Sequence, residues 1–297
     1  MIDFVRLNYK DKDTIEPFVC NKDNFEELLT VLECHSGEIR YPYKANIGNM
    51  EVGINDKYAY VKNSIHKLYN DLKGEEAHNH NDFKYSEVCT AIDHLKKKLT
   101  DLENTRLTQL EFGLNIELPS PAECIIRQNI ILHQLKIHNH NEQFGGKGEY
   151  KQFNHYNYYF KIYDKAKQYN LKKHVIRFEI KHKSNKSFHP LGVYKLQDLK
   201  SKKCLQNLFD DLLKRFDELT IVDSVMADTK ITKKDKSQLE SYLSYNYWGI
   251  LSERENRNRK PKEKLEFQRL LVKNDLLKTK TFLRASLIQK FEELLNS

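Results

Sequence analysis

Three short segments put a tyrosine, several carboxylates and several cations at alternate positions. The first is Gln109-Leu110-Glu111-Phe112-Gly113-Leu114-Asn115-Ile116-Glu117-Leu118, the second Tyr159-Phe160-Lys161-Ile162-Tyr163-Asp164-Lys165, and the third Val175-Ile176-Arg177-Phe178-Glu179-Ile180-Lys181. Successive side chains of a strand point to opposite faces, so apolar–polar alternation marks a strand buried on one side. Leu110, Phe112, Leu114, Ile116 and Leu118 oppose Glu111, Asn115 and Glu117. Phe160 and Ile162 oppose Lys161 and Tyr163, and Ile176, Phe178 and Ile180 oppose Arg177, Glu179 and Lys181. On one sheet with a common core, the polar face would hold what a metal-assisted tyrosine needs to attack a phosphodiester. A half-exposed antiparallel sheet also turns polar residues outward with no site on it. Patterning alone leaves both readings open.

The motifs carry a family likeness. Phe160-Lys161-Ile162-Tyr163-Asp164-Lys165-Ala166-Lys167-Gln168, followed by Ile176-Arg177-Phe178-Glu179-Ile180, resembles the signature of rolling-circle replication initiators. These are the plasmid initiators of the replication-initiation-factor (Rep-trans) family and the related filamentous-phage replication proteins. In them a strand reads I-Y-(D/N)-K and a strand R-(F/V)-E follows shortly. Thr108-Gln109-Leu110-Glu111-Phe112-Gly113-Leu114-Asn115 is similar to the family's earlier T-R-L-D strand. Met1-Ile2-Asp3, Ser64-Ile65-His66-Lys67 and Asn79-His80-Asn81-Asp82-Phe83 resemble elements of the phage branch. The likeness covers roughly residues 1–225.

The resemblance implies that Tyr163 is the DNA-cleaving nucleophile and that Glu111 and Glu179 lie at the metal site. Two positions depart from the family pattern. Glu111 stands for the usual aspartate of the first strand, and Asn115 for its second, so a charge is lost that Glu117, on the same face, would compensate. Gln109 replaces the arginine of T-R-L-D. The implied reaction leaves a 5′-phosphotyrosine and a free 3′-hydroxyl that primes synthesis. The implied substrate is origin DNA, single-stranded or supercoiled duplex. Host helicase and polymerase are the implied partners, and a homodimer is compatible with the pattern.

That chemistry sets requirements the residues can meet. A phenol is a poor nucleophile at neutral pH, because its pKa is about 10. A divalent ion polarises the scissile phosphate and offsets the charge of the transition state. Two or three carboxylates from neighbouring strands would hold it, and such hard oxygen ligands favour Mg²⁺ or Mn²⁺. Lys161, Lys165, Lys167 and Arg177 would orient the phosphate and stabilise the transition state.

Composition is that of a soluble globular chain with a highly charged surface. Of 297 residues, 39% are hydrophobic and 31% charged, and 17 Tyr with 15 Phe suffice for a sizeable core. No run of 18 apolar residues or signal-peptide pattern is visible, so no membrane span is expected. Cys20, Cys34, Cys89, Cys124 and Cys204 are odd in number and widely spaced, which fits reduced thiols in the cytoplasm. His-Asn-His-Asn occurs twice, at 78–81 and 138–141, and reads best as polar loop. His182 follows the Glu179 strand on its opposite face.

The elements that must position these residues alternate between strand and helix. A helix is expected over 23–34, a hairpin over 50–54 and 58–61, and a loop or short helix over 64–71. Further helices are expected over 86–100, from Pro121 through Ile125, Ile126, Ile130 and Leu132, and over 205–219. The fold class is therefore α+β, a central antiparallel sheet with helices on one face and the other face open for DNA.

The last quarter differs in charge. Residues 254–290 hold twelve Lys or Arg against four Asp or Glu, a net of +8 that equals the formal net charge of the whole chain. Such a cluster is the electrostatic footprint of a nucleic-acid surface. Arg254, Arg257, Arg259, Lys260, Lys262 and Lys264 are its leading DNA-binding candidates, joined by Lys161 of the second strand. Leu265, Leu270, Leu276, Leu283, Leu287 and Phe291 recur at helical spacing. Tyr242, Tyr245, Tyr247 and Trp248 would stack on unpaired bases or pack on the domain. The expected organisation is a nicking domain at 1–227 and a basic helical DNA-binding segment at 228–297. Two rival classes stay open: a non-catalytic DNA-binding replication or transcription accessory, which would not depend on Tyr163, and a mobilisation relaxase. The relaxase usually keeps its tyrosine near the N-terminus with a His-hydrophobe-His cluster, and neither is evident here.

Overall fold

The computed structural model describes residues 1–25, 27–141, 145–224, 231–256 and 258–297. The strands are β1 (Ile2–Tyr9), β2 (Leu29–Leu32), β3 (Ile39–Ile47), β4 (Met50–Ile54), β5 (Ala59–Ser64), β6 (Thr105–Leu118), β7 (Ile130–His133), β8 (Tyr150–Asn154), β9 (Tyr158–Asp164), β10 (His174–His182) and β11 (Leu219–Ile221). The α-helices are α1 (Glu16–Val19), α2 (Ile65–Leu72), α3 (Tyr85–Lys98), α4 (Ala122–Cys124), α5 (Lys165–Tyr169), α6 (Lys202–Asp217), α7 (Lys233–Leu243), α8 (Tyr245–Ile250), α9 (Arg259–Lys273) and α10 (Lys278–Leu295). Among the described residues nine strands form one sheet in the order β2-β3-β4-β5-β1-β6-β10-β9-β8, with every neighbouring pair antiparallel. The mixed α+β architecture ending in helices is as expected.

The three site strands are β6, β10 and β9, adjacent and in register. Ile176, Phe178 and Ile180 of β10 lie opposite Ile116, Leu114 and Phe112 of β6 and opposite Asp164, Ile162 and Phe160 of β9. Their apolar side chains are all buried in one core with Val88, Ala91, Ile92 and Leu95 of α3 and with α6. Phe216 of α6 meets Phe178 edge-on at 5.2 Å. His182 is buried on this same side, beside Phe188, as alternation required.

Local sequence explains the entry of two helices that flank the polar face. Ser64 ends β5 in extended geometry, and its hydroxyl accepts the Lys67 N–H of α2. Asp164 ends β9 in the same way and accepts the Lys167 N–H at 2.9 Å. Both are N-caps, which satisfy a backbone donor the helix leaves unpaired. Gly113 of β6 sits opposite Glu179 of β10. A Cβ there would lie 2.5 Å from the Phe178 carbonyl oxygen and 3.0 Å from the Glu179 Cα, so a larger residue would push Glu179 aside.

Several expected elements differ. The segment 23–34 is not a helix: β2 occupies Leu29–Leu32 and pairs with β3, Leu29 opposite Lys44 and Val31 opposite Arg40. The β-branched Thr30-Val31 pair fits that ladder, which overrides the helical preference of the Glu and Leu around it. The helix from Pro121 ends early. One π turn (Ile125–Asn129) follows α4, and Ile130 and Leu132 belong to β7, which pairs with β11. Leu219, expected inside the preceding helix, starts β11.

The proposed division of the chain also changes. Its boundary at 227–228 and Arg257 lie outside the described residues. The final helix is not part of a separate segment, because Leu283, Leu287, Phe291 and Leu294 of α10 are buried in the main core. Phe291 stacks on Phe209 with ring centroids 4.1 Å apart and meets Phe112 of β6 edge-on at 6.4 Å. A second cluster joins α7, α8 and α9 to β7 through Leu132, Leu239, Tyr242, Trp248, Phe267, Leu270 and Leu276. Tyr242 and Trp248 are therefore core residues, and only Tyr245 and Tyr247 retain solvent exposure. Replacing a buried Phe or Leu by Ala costs about 2–5 kcal/mol. Phe291→Ala and Leu287→Ala are accordingly expected to lower stability by about 3 kcal/mol each in urea unfolding. Removing 278–297 should leave the sheet domain unfolded, and a truncated chain of unchanged midpoint would show that α10 is dispensable.

Candidate active site

The polar face of β6, β10 and β9 gathers three buried carboxylates. Glu111 and Glu179 come from β6 and β10, and Asp3 comes from β1 on the other side of β6. One oxygen of each lies within 4.8 Å of the other two. They line a cavity of about 250 Å³ together with Tyr163, Lys165 and Lys67. A larger cavity of about 730 Å³, between β11 and helices α9 and α10, contains none of these carboxylates.

Buried charge must be compensated, and here it is. Arg177 donates through Nε to Glu179 Oε2 at 2.8 Å and through Nη1 to Asn115 Oδ1 at 3.0 Å, and its Nη2 lies 3.8 Å from Asp3 Oδ2. Lys161 Nζ bridges Glu111 Oε1 at 3.1 Å and Glu179 Oε1 at 3.0 Å. Lys181 Nζ lies 3.0 Å from Glu111 Oε1. Asp3 accepts the Ser64 hydroxyl and the Asn79 side-chain amide. Burial pushes the Glu179 carboxyl up, but Lys161 and Arg177 outweigh it and hold Glu179 below the ordinary carboxylate range. Burial and then the Glu179 charge push Glu111 up.

Tyr163 lies on β9 opposite Arg177, and its hydroxyl donates to Glu179 Oε2 at 3.3 Å. Burial, followed by the Glu179 charge, raises the phenol well above 10, so the resting side chain is neutral. Lys165, in the first turn of α5, is buried and donates to Asn79 Oδ1 at 2.7 Å. Burial and the nearby Arg177 lower its ammonium to about 7. The Tyr169 hydroxyl donates to the same Asn79 oxygen at 2.6 Å.

These positions sort the expected site residues. Tyr163, Lys165, Arg177, Glu111 and Glu179 come together. Lys161 joins them as the bridge between two carboxylates rather than as a DNA contact. Asn115 is held by Arg177 and by the His80 carbonyl, to which its amide donates at 3.2 Å, so it positions Arg177 rather than facing the carboxylate cluster. Glu117 lies on the same face but at the exposed strand end, paired with Lys173 at 3.1 Å, outside the cluster. Lys167 is exposed beside the site.

Sequence reasoning gave no site role to Asp3, Lys67, Asn79 or Tyr169, although the first three lie in segments that resemble the phage branch. Asp3 supplies the third carboxylate that Glu117 was expected to supply. The first His-Asn-His-Asn segment is part of the site wall, not a detached loop: Asn79 ties Asp3 to Lys165 and Tyr169, and Asn81 accepts from Asn70 at 3.0 Å beside His66. The repeat was itself the available signal, since a buried Asn must find partners.

The tail candidates sort as well. Arg259 pairs with Glu263 at 2.9 Å, and Lys260 donates to the Ser252 hydroxyl. Lys262 and Lys264 are exposed on α9, and Arg254 opens a short turn (Arg254–Asn256). Further along, Lys273 pairs with Asp235, Arg284 with Asp217 and Lys290 with Asp82. The +8 excess is thus partly neutralised by acids from outside residues 254–290.

A divalent cation fits the donor set: three carboxylates with clustered oxygens, close enough to repel one another. Lys161 now neutralises the same Glu111 and Glu179 oxygens, so an ion and that ammonium are alternatives for them. No protein-family model matches the chain, and no curated protein matches it in sequence. Among solved structures the chain is similar to a rolling circle replication initiator protein from Geobacillus stearothermophilus. Identity is 12% and the TM-score 0.40, over 77% of this chain and 89% of that one. Among the described residues no helix is long and apolar enough to cross a membrane.

Two outcomes follow from this geometry. In Mn²⁺ titrations read by electron paramagnetic resonance, Asp3→Asn and Glu111→Gln should each weaken binding about tenfold or more, as loss of a ligand charge requires. Wild-type affinity in both would remove the ion from this cluster. For Lys165, the unfolded chain holds a proton between about pH 7 and 10.5 that the folded chain lacks. Stability should therefore rise with pH through that window, by up to about 1.4 kcal/mol per unit, and Lys165→Met should make the rise shallower in denaturant melts without removing it, because burial also lowers the Lys151 ammonium to about 8.

Proposed function

We propose that this protein is a DNA-nicking strand transferase that initiates rolling-circle replication. The observation that carries the reading is the buried phenol of Tyr163 in one cavity with three clustered carboxylates, on the polar face of the sheet. Tyr163 Oη forms a bond to the scissile phosphorus and the bond from phosphorus to the 3′-oxygen breaks. The phenolic proton leaves along the hydrogen bond to Glu179, and the departing 3′-oxygen takes a proton, for which Lys165 is assigned as donor. A divalent ion on Asp3, Glu111 and Glu179, when bound, polarises the phosphate and offsets the developing charge. Mg²⁺ or Mn²⁺ suits such oxygen donors.

The products explain the biology of the reading. The 5′-phosphotyrosine keeps the bond energy, so a later 3′-hydroxyl can close the circle without ATP. The free 3′-hydroxyl is a primer for a host polymerase, and extension calls for a host helicase. Lys262, Lys264 and Arg254, together with Arg259 and Lys260, are the candidates for contacts to duplex DNA flanking the origin.

Tyr163→Phe removes one oxygen and keeps the ring, so the core stays filled. Incubated with supercoiled DNA of its own element and Mg²⁺, the wild-type chain should give nicked product covalently joined to protein. Tyr163→Phe should give none while binding DNA within about twofold of wild type. An adduct formed by Tyr163→Phe would take the nucleophile away from this residue and make Tyr169 the next to test.

A further inference from the structure

Register sets two cation–carboxylate pairs side by side on the polar face. Lys161 of β9 lies directly opposite Glu179 of β10, and Lys181 of β10 lies directly opposite Glu111 of β6. Opposite charges at facing positions attract across a ladder. Lys161 reaches beyond its own pair: its Nζ holds Glu179 Oε1 at 3.0 Å and Glu111 Oε1 at 3.1 Å. The same Glu111 oxygen takes Lys181 Nζ at 3.0 Å. One oxygen of each glutamate is thus covered by an ammonium.

The charges of the pocket balance among themselves. Asp3, Glu111 and Glu179 supply three negative charges, and Lys161, Lys181 and Arg177 meet them with three positive ones. Lys67 and Lys165 line the same cavity, so cations are not in short supply. A dication added to this set leaves at least two positive charges in excess. Buried charge without a partner is costly, so a cation must withdraw or an anion must enter. The three cations differ in their freedom to do so. Arg177 is fixed: its side chain is 3% exposed and is bound to Glu179, Asn115 and Asp3. The Lys161 side chain is 16% exposed and that of Lys181 30%, so both have a way to solvent. Lys181 Nζ also lies 5.2 Å from the Phe4 ring centroid, which gives it a second resting place. Lys161 is therefore the cation whose position decides whether both glutamate oxygens are open.

We propose that Lys161 is a resident counter-ion that keeps a divalent ion off Glu111 and Glu179 until a phosphodiester arrives. The inference rests on the reading of the site as a nicking centre and adds the order in which that centre is assembled. A phosphodiester brings the ammonium a new anionic partner, and Lys161 then releases the carboxylates to the ion. The exchange needs no movement of β9, because a lysine ammonium sits on a flexible four-carbon stem. Ion and phosphate thus enter as a pair, and each raises the affinity of the other by the same factor. Without DNA the glutamates stay on lysine and hold a free ion weakly.

The test reads Mn²⁺ affinity by electron paramagnetic resonance, without turnover, on the full chain carrying Tyr163→Phe. It is run with and without a single-stranded oligonucleotide of mixed sequence. In this parent the oligonucleotide should tighten Mn²⁺ binding about tenfold. Lys161→Met keeps most of the stem and removes the charge. Without DNA it should bind Mn²⁺ about tenfold more tightly than the parent, and it should gain less than about twofold from the oligonucleotide. Lys161→Arg keeps the charge and should bind Mn²⁺ no more tightly than the parent. Because Lys161→Met strips two buried carboxylates of a partner, its thermal unfolding is followed as well, and Mn²⁺ should raise its midpoint more than the parent's. If Lys161→Met does not fold alone, Mn²⁺ should refold it, and failure to refold overturns the proposal. Unchanged or weaker Mn²⁺ binding by Lys161→Met overturns it too, as does equal tightening by Lys161→Arg, which would make the stem rather than the charge the barrier. An oligonucleotide that leaves the parent's Mn²⁺ affinity unchanged, while the wild-type chain forms its covalent adduct with supercoiled DNA, overturns the coupling. A wild-type chain that forms no adduct instead overturns the nicking reading, and tighter Mn²⁺ binding by Lys161→Met then still supports the counter-ion.

Discussion

Three carboxylates in one buried pocket are an unstable arrangement unless cations and dipoles surround them. Isolated buried charge is expensive, and removing one partner of a buried pair costs more than the pair contributes. The structure resolves this by drawing compensation from every element that touches the site. Arg177 comes from β10, Lys161 from β9, Ser64 from the start of α2 and Asn79 from the segment after it. The site therefore requires the register of four strands to be fixed at once. A slip of one residue in β10 would turn Arg177 and Glu179 into the core and Phe178 outward.

The packed face enforces that register. Phe112, Phe178 and Ile162 are separated by one position from the groups that do chemistry, and each is anchored by α6 or α10 or by the core around them. Gly113 lets β6 and β10 approach closely at the position opposite Glu179. Core packing and site geometry are two sides of the same strands, which makes a distant residue such as Phe291 part of the support for Glu111.

Much of this was legible because it is local. Period-two alternation identified β6, β9 and β10 and placed Tyr163, Glu111, Glu179 and Arg177 on one face. What was not legible depends on pairing between distant segments. Asp3 lies 108 positions before Glu111, and the likeness of Met1-Ile2-Asp3 to the phage branch does not say which strand it joins. Glu117 has the right parity, but parity does not say that the strand has already run out to solvent. The run 23–34 reads as a helix by composition and becomes an edge strand because β3 offers it a ladder. Lys161 looked free for phosphate, since a sequence does not show two carboxylates on the adjoining strands.

The basic tail shows the same limit from the charge side. Counting within residues 254–290 leaves eight cations unmatched, yet Asp217, Asp235 and Asp82 reach in from elsewhere to hold Arg284, Lys273 and Lys290. Those pairs are largely surface-exposed and contribute little energy singly. Their effect is to orient helices whose apolar sides are already committed, α9 to the second cluster and α10 to the main core. The charge of the tail thus divides by position. Its C-terminal half is spent on docking α10 against the sheet domain, whereas Lys262 and Lys264 in the first half of α9 stay exposed. A cation-rich segment is for this reason not the same thing as a nucleic-acid segment, and only the exposed part of it is available to a phosphate backbone.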